Sequence, residues 1–166
     1  REKRKCFIIP ALLNNKIKFK FKKKYRSRNI YFAGRLVEWK GVSLLLSIFK
    51  KVSLNDKKIK LNIYGDGPYK KEIINFIKDN KFHNRIKLYG KLDQKKFINE
   101  IKKNDLLIFP TLRDSGGFVI LEALNNNINV ITTNAGGPNT IIKKNSIKKI
   151  NIRNKNTQVI TNNFVK

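Results

Sequence analysis

The sequence is short of the residues from which many chemical sites are built. Its 166 residues hold one cysteine, one histidine, one tryptophan and no methionine. A single cysteine excludes an intramolecular disulfide and favours a reducing compartment. Cys6 itself reads as a small buried hydrophobe. One cysteine and one histidine also leave a zinc site short of its usual ligands. Carboxylates are scarce: 11 Asp and Glu stand against 38 Lys and Arg, a formal net charge of +27. None occurs between Lys3 and Val37, and none after Glu122. Long apolar runs are missing too. DLLIFP and GVSLLLSIF fall far short of the ~20 residues that cross a bilayer. Pro10 cuts the apolar segment behind the basic start REKRKCFIIPALL, so no signal peptide is expected.

What is present is enough for one core: 40 % of the residues are hydrophobic, at a length of about one domain. The basic excess has three readings. Lysine outnumbers arginine 30 to 8, and asparagine and isoleucine are abundant, as an A/T-rich coding bias would produce. An anionic membrane surface is the second reading and nucleic acid the third. Designed phosphate readers favour the planar arginine fork. The basic ends lack interleaved aromatics or an RNA-binding motif, so no specific nucleic acid is expected.

From Asn29 onward short apolar runs alternate with amphipathic stretches. NIYFAGRL (29–36), KIKLNIYGDGP (58–68), NRIKLYGKL (84–92), DLLIFPTL (105–112) and NVITTNAGGP (129–138) read as strands. Between them GVSLLLSIFKKVSL (41–54), YKKEIINFIKDN (69–80), DQKKFINEIKKN (93–104) and GGFVILEALNN (116–126) read as helices, with Asp93 placed to cap the third. This is β-α repeated four times plus a strand. It predicts an α/β fold, a Rossmann-like doubly wound parallel sheet covered on both faces. Residues 1–28, with twelve basic side chains, read as a basic extension holding a candidate edge strand, and 29–166 as the domain. After Pro138 the pattern weakens to one short strand, Ile147 to Ile152, and the start of a helix.

In open parallel sheets ligands bind beyond the carboxyl ends of the strands. The loops there are GRLVEWKG (34–41), GDGP (65–68), GKLD (90–93), PTLRDSGGF (110–118) and NAGGPNT (134–140), and they hold most of the glycines. A glycine pair at a helix N-terminus suits an anion, because amides are approachable and the helix end is positive. Gly116, Gly117 and Phe118 are therefore candidates to bind phosphate through their amides. The competing reading is that Asp114 or Ser115 merely caps the helix. No G-x-x-x-x-G-K-[ST] is present, and no G-x-G-x-x-G follows the first strand, which disfavours a P-loop and a dinucleotide site. His83 precedes the third strand, at its amino end, and so faces away from these loops. Trp39 reads as a packing residue beside Lys40, with stacking on a sugar or base as the alternative.

The combination GRLVEWKG, IYGDGP, FPTLRDSGGFVILEAL and ITTNAGGP, in this order over residues 7–142, resembles the C-terminal, donor-binding domain of a family 4 retaining glycosyltransferase of the GT-B type. The resemblance implies one of two Rossmann-like domains that face across a cleft. Gly34, Arg35 and Lys40 would bind the diphosphate of a nucleotide-sugar such as a UDP- or GDP-hexose. Gly65 and Gly67 would belong to the same donor site. The family's E-x7-E pattern falls on Asp114, facing the donor sugar, and Glu122, accepting from the ribose hydroxyls. Ser115, Gly116, Gly117 and Phe118 would line the phosphates. No metal is expected, because cations and the helix end take its place, and no cofactor besides the donor.

Three departures stand out. Asp replaces the first Glu, Gly116 replaces a more usual phenylalanine and widens the phosphate region, and SIKKINI replaces a glycine-containing strand. The family's final helix, returning to the acceptor domain, is missing. The resemblance therefore implies half of an enzyme, whose partners are a glycan or lipid-linked acceptor and an N-terminal acceptor domain, cytoplasmic and peripheral on the inner face of an anionic membrane. Two other readings remain open at this point: a basic nucleic-acid or anionic-surface module on the same fold, and a sugar-nucleotide epimerase.

Overall fold

A computed structural model describes residues 28–114, 116–136, 148–150 and 156–165. Cys6, Ser115, Pro138 and the basic segment 1–27 lie outside the described residues. The elements run β1 (Asn29–Ala33), α1 (Val42–Asn55), β2 (Lys60–Tyr64), α2 (Lys70–Asp79), β3 (Ile86–Gly90), α3 (Gln94–Ile101), β4 (Leu106–Phe109), α4 (Phe118–Asn125), β5 (Asn129–Thr133), β6 (Lys148–Ile150) and α5 (Thr157–Val165). The β-α alternation is the one that the apolar periodicity predicts.

The six strands form one parallel sheet in the order β3-β2-β1-β4-β5-β6. Adjacent residues of β1, Tyr31 and Phe32, point to opposite faces, and both are 0 % exposed. Both faces are therefore covered, which is why the strands read as continuous apolar runs rather than as alternation. The chain builds β1 to β3 outward to one edge, crosses back through α3 and builds β4 to β6 toward the other. Right-handed crossovers then place α1 and α2 on one face and α3 and α4 on the other. The order reverses between β1 and β4, which makes that pair the switch point where a ligand crevice opens.

Phe32 stacks on Phe109 across the β1–β4 seam, with ring centroids 6.0 Å apart. On the α3 side Tyr31 meets Tyr64 edge-on, and Tyr64 stacks on Tyr89 at 4.7 Å. Such pairs add about 0.5–1.5 kcal/mol each beyond their buried area. Asp93 caps α3 as expected, its carboxylate accepting from the Lys96 amide at 2.9 Å. At the sheet's amino edge Arg85 donates to the carbonyls of Asp56 and Ile59. His83 lies exposed in the adjoining turn, remote from the carboxyl-end loops.

Two expectations need correction. Helix α4 starts at Phe118 and not at Gly116, because Gly117 adopts a left-handed conformation (φ 57°) that serves as the N-cap. The stretch SIKKINI supplies a sixth strand without a glycine: Lys148–Ile150 pairs in parallel with Ile131–Thr133 of β5. Backbone pairing needs only an extended segment beside the sheet edge. Helix α5 follows and packs on α1, where Lys51 donates to Asn162.

Candidate functional site

Three loops at the carboxyl edge are stitched together through their backbones. The Leu36 amide donates to the Asp66 carbonyl at 2.9 Å, and the Tyr69 amide donates to the Leu36 carbonyl at 3.0 Å. Gly65 (φ 134°) lies so close to Gly34 that a β-carbon would collide with the Gly34 carbonyl oxygen. Gly41 (φ 74°) ends the 3-10 turn Glu38–Lys40 and sits equally close to the Pro110 carbonyl. Opposite it, the Trp39 carbonyl accepts from the Leu112 amide (2.9 Å), the Arg113 amide (3.1 Å) and the Thr111 hydroxyl (3.2 Å). The loops after β1, β2 and β4 are thereby held in fixed relative positions.

A cleft of about 490 Å³ opens where these loops meet α3 and α4. Gly34, Arg35, Gly65, Phe118 and Glu122, all singled out in the sequence, line it. So do Lys91, Gln94 and Phe97, which were not. The Gln94 side-chain amide donates to Glu122 Oε1 at 2.8 Å and ties the start of α3 to α4. Its signal was positional: it directly follows the Asp93 cap on the ligand edge of the sheet. Under the cleft, Asn62 donates to Asn104 Oδ1 at 2.7 Å, and Asn104 donates to the Tyr64 hydroxyl at 3.3 Å. Burial raises the Tyr64 pKa to about 12. Burial, and then the Glu122 carboxylate, also push the Tyr31 hydroxyl far above its ordinary range, so both phenols stay neutral.

Lys40 and Asp114 occupy a second hollow of about 520 Å³, lined with Trp39 and Arg113. The two form an ion pair in which the Asp114 side chain is 7 % exposed. Asp114 Oδ1 also accepts the Gly116 amide at 3.0 Å and the Gly117 amide at 2.9 Å. Burial opposes the Asp114 charge, but Lys40 and the two amides outweigh it and hold the carboxyl below its usual range. Lys40 further lies over the Phe109 ring, 5.6 Å from its centroid, a cation–π contact.

The sequence-derived residues thus fall into two adjoining groups, both bounded by the β1–α1 and β4–α4 loops. Gly67 lines neither hollow; it packs against the Leu36 carbonyl. The Gly116 and Gly117 amides are directed at Asp114 and not at open space, so the capping reading describes the structure. The space that Gly116 was expected to widen is filled by the Phe118 ring, 2.7 Å from where a Gly116 β-carbon would stand. Trp39 is not a packing residue, being 50 % exposed. Among the described residues no three of His, Cys, Asp and Glu gather to hold a metal ion.

A Rossmann-like sheet with a cleft at its switch point, lined by glycines, an arginine and a ribose-height carboxylate, defines a nucleotide-binding domain of the GT-B glycosyltransferase class. Solved GT-B structures share the fold. The chain matches an Anabaena HepE structure in complex with UDP and glucose at a TM-score of 0.68 and 20 % identity, over 83 % of this chain and 38 % of that one. It matches the C-terminal domain of a Francisella tularensis group 1 glycosyl transferase, LpcC, at 0.69 and 19 %, over 81 % and 71 %. The sequence profile of the glycosyl transferases group 1 family matches residues 14–164, and the chain belongs to that family. Among curated relatives, the Saccharomyces cerevisiae phosphatidylinositol N-acetylglucosaminyltransferase GPI3 subunit is 28 % identical over 65 % of this chain. Its human counterpart in the same transferase is 26 % identical over 75 %. The chain spans 24 % of the yeast protein and 26 % of the human one. Among the described residues no helix is long and apolar enough to cross a membrane.

Proposed function

We propose that this chain is the donor-binding domain of a family 4 glycosyltransferase. It would transfer a hexosyl group, with retention, from a nucleoside diphosphate sugar to a glycan or lipid-linked acceptor. The observation that carries the reading is the convergence of Gly34, Arg35, Gly65 and Glu122 on one cleft at the β1/β4 switch point. In the reaction the bond from the anomeric carbon to the diphosphate breaks, a bond to an acceptor hydroxyl forms, and the nucleoside diphosphate leaves. Arg35 and Lys40 offset the charge that builds on the leaving group, so the reaction needs no divalent metal. The first-turn amides of Phe118 and Val119, which have no acceptor among the described residues, add to the positive helix end. Glu122 accepts from the ribose hydroxyls, and Asp114 orients Lys40 at the junction of diphosphate and sugar.

UDP-sugars are the favoured donors, because HepE and the pneumococcal GtfA, which share this fold, are solved with UDP and a sugar. The transfer of N-acetylglucosamine to phosphatidylinositol named for the yeast and human relatives supports a lipid-linked acceptor. The +27 charge supports peripheral attachment to the anionic inner face of a membrane. The acceptor-binding residues would come from an N-terminal domain. Titration calorimetry with UDP, GDP, ADP and their hexose conjugates tests the reading. Binding of one nucleotide series, unaltered by a chelator, is expected; a folded sample that binds none refutes it.

A further inference from the structure

Trp39 is the chain's only tryptophan, and it occupies an unusual setting. Its backbone is among the most firmly held at the carboxyl edge, since one carbonyl accepts three donors from the β4–α4 loop. Its ring is half exposed and forms one wall of the second hollow, opposite the Lys40–Asp114 pair and beside Arg113. Large aromatic rings elsewhere in this domain are mostly packed: Tyr31, Phe32, Phe49, Tyr64 and Phe109 are each at most 3 % exposed. An immobilised backbone presenting a bare indole makes a rigid platform, which loses little freedom when a ligand covers it. An aromatic face binds the apolar C–H face of a ring, while the polar groups around it satisfy hydroxyls.

We infer that Trp39 and Arg113 form a pyranose subsite next to the nucleotide cleft. The sugar ring stacks on the indole, and the Arg113 guanidinium donates to a hydroxyl or carbonyl substituent on its rim. Three features support a sugar over a nucleobase. The hollow shares Lys40 with the proposed diphosphate site, so its distance from that site suits the group attached to the diphosphate. Its rim holds donors from Arg113 and Lys40 and an acceptor in Asp114, the mixture that a polyol requires. The cleft with Gln94 and Glu122 lies in the other hollow and remains for the nucleoside. Arg113 has no ion-pair partner among the described residues, which leaves its guanidinium available. The subsite rests on the glycosyltransferase reading above and assigns the part of the donor that the nucleotide cleft does not cover.

The single indole is its own probe. Fluorescence of the 166-residue chain is titrated with UDP, then with UDP-glucose and UDP-N-acetylglucosamine, then with the free methyl glycosides. Calorimetry runs in parallel. The expected result is that a UDP-sugar shifts Trp39 emission to shorter wavelength while UDP leaves it unchanged. Trp39→Ala should remove the gain in affinity of UDP-sugar over UDP, roughly fivefold if the stack resembles an aromatic pair. Trp39→Phe should retain most of it, and UDP binding is the internal reference. The ring is exposed and the anchoring carbonyl is main chain, so both variants should fold; circular dichroism checks this. A response to methyl glycosides without UDP would assign the platform to an acceptor sugar, and so overturn the donor assignment. If nucleotides and their sugars bind while Trp39 emission and the Trp39→Ala affinities are indifferent to the sugar, the subsite alone is refuted. If none binds, the functional reading falls and the subsite falls with it.

Discussion

Asp114→Ala separates structural from ligand-directed roles most sharply. The carboxylate accepts from Lys40 and from the Gly116 and Gly117 amides. Losing the two amide contacts removes the cap of α4, worth about 1 kcal/mol. The ion pair adds to this. Breaking a fully buried pair costs about 3–5 kcal/mol, but the Lys40 side chain is 21 % exposed and can turn toward water. The pair is therefore assigned about 1–2 kcal/mol. A total near 2–3 kcal/mol lowers Tm by about 4–12 °C in a chain of this size. The ligand effect has the opposite sign. Removing a negative charge and releasing two amides beside Lys40 should tighten the binding of inorganic diphosphate. Asp114→Asn adds a pH test. The carboxyl's pKa is depressed in the folded state, so its contribution is complete above the unfolded value of about 3.9. It is lost as the pH falls through the lower folded value. The gap in stability between wild type and Asp114→Asn should hold from about pH 5 upward and narrow below about pH 4. Thermal melts across pH, with calorimetry against diphosphate, give both readouts. A Tm within about 1 °C of wild type together with weaker diphosphate binding would refute the argument.

The remaining predictions address the nucleotide cleft and its scaffold. Arg35→Ala removes an exposed cation from the cleft and should weaken UDP binding roughly tenfold, flattening its salt dependence; an unchanged affinity counts against Arg35 as a diphosphate ligand. Glu122→Ala should weaken UDP binding and leave inorganic diphosphate binding unchanged. Gln94→Ala should have a smaller effect that vanishes in the Glu122→Ala background, because the 2.8 Å bond makes it act through Glu122; additive losses in the double variant would show independent roles. Gly65→Ala should lower stability by more than about 1 kcal/mol, since a β-carbon meets the Gly34 carbonyl at a φ of 134°; a melt unchanged from wild type would contradict the close approach.

The fold was legible because its strands are buried on both faces and so interrupt the amphipathic helices with continuous apolar runs. β1 and β4 carry that signal in Ile30–Ala33 and Leu106–Phe109, which are almost wholly covered. The placement of Arg35 and Glu122 followed too, since a parallel strand must deliver its loop to the same edge as its neighbours. β6 was harder to read, because Lys148–Ile150 is three residues long and rich in lysine, and its identity as a strand comes from pairing with β5. Gln94 was invisible as a partner of Glu122, because the two are 28 positions apart and meet only when α3 and α4 share a face. Gly116 and Gly117 illustrate a different limit. Their composition shows amides open to approach, and only the folded loop shows that the nearest anion is the chain's own Asp114. Trp39 was misread because a tryptophan among apolar neighbours usually packs, whereas the 3-10 turn rotates this one outward.

The site's organisation turns on the seam between β1 and β4. A switch point opens a crevice because the chain leaves these two strands in opposite directions, so nothing in the helix packing itself holds the two exit loops together. Here they are joined twice. Main-chain amides of Leu112 and Arg113 hang from the Trp39 carbonyl, and the Lys40–Asp114 pair ties the same loops through side chains. The first tie has no charge and is indifferent to a ligand. The second uses the very groups that a diphosphate would engage, so an incoming anion competes with it. The uncharged tie therefore allows Lys40 to exchange Asp114 for phosphate without letting the loops separate. Preorganisation of this kind lowers the cost of ordering on binding. It also explains why one carboxylate is placed among cations in so basic a chain: it keeps Lys40 oriented and the α4 terminus capped until a stronger anion arrives.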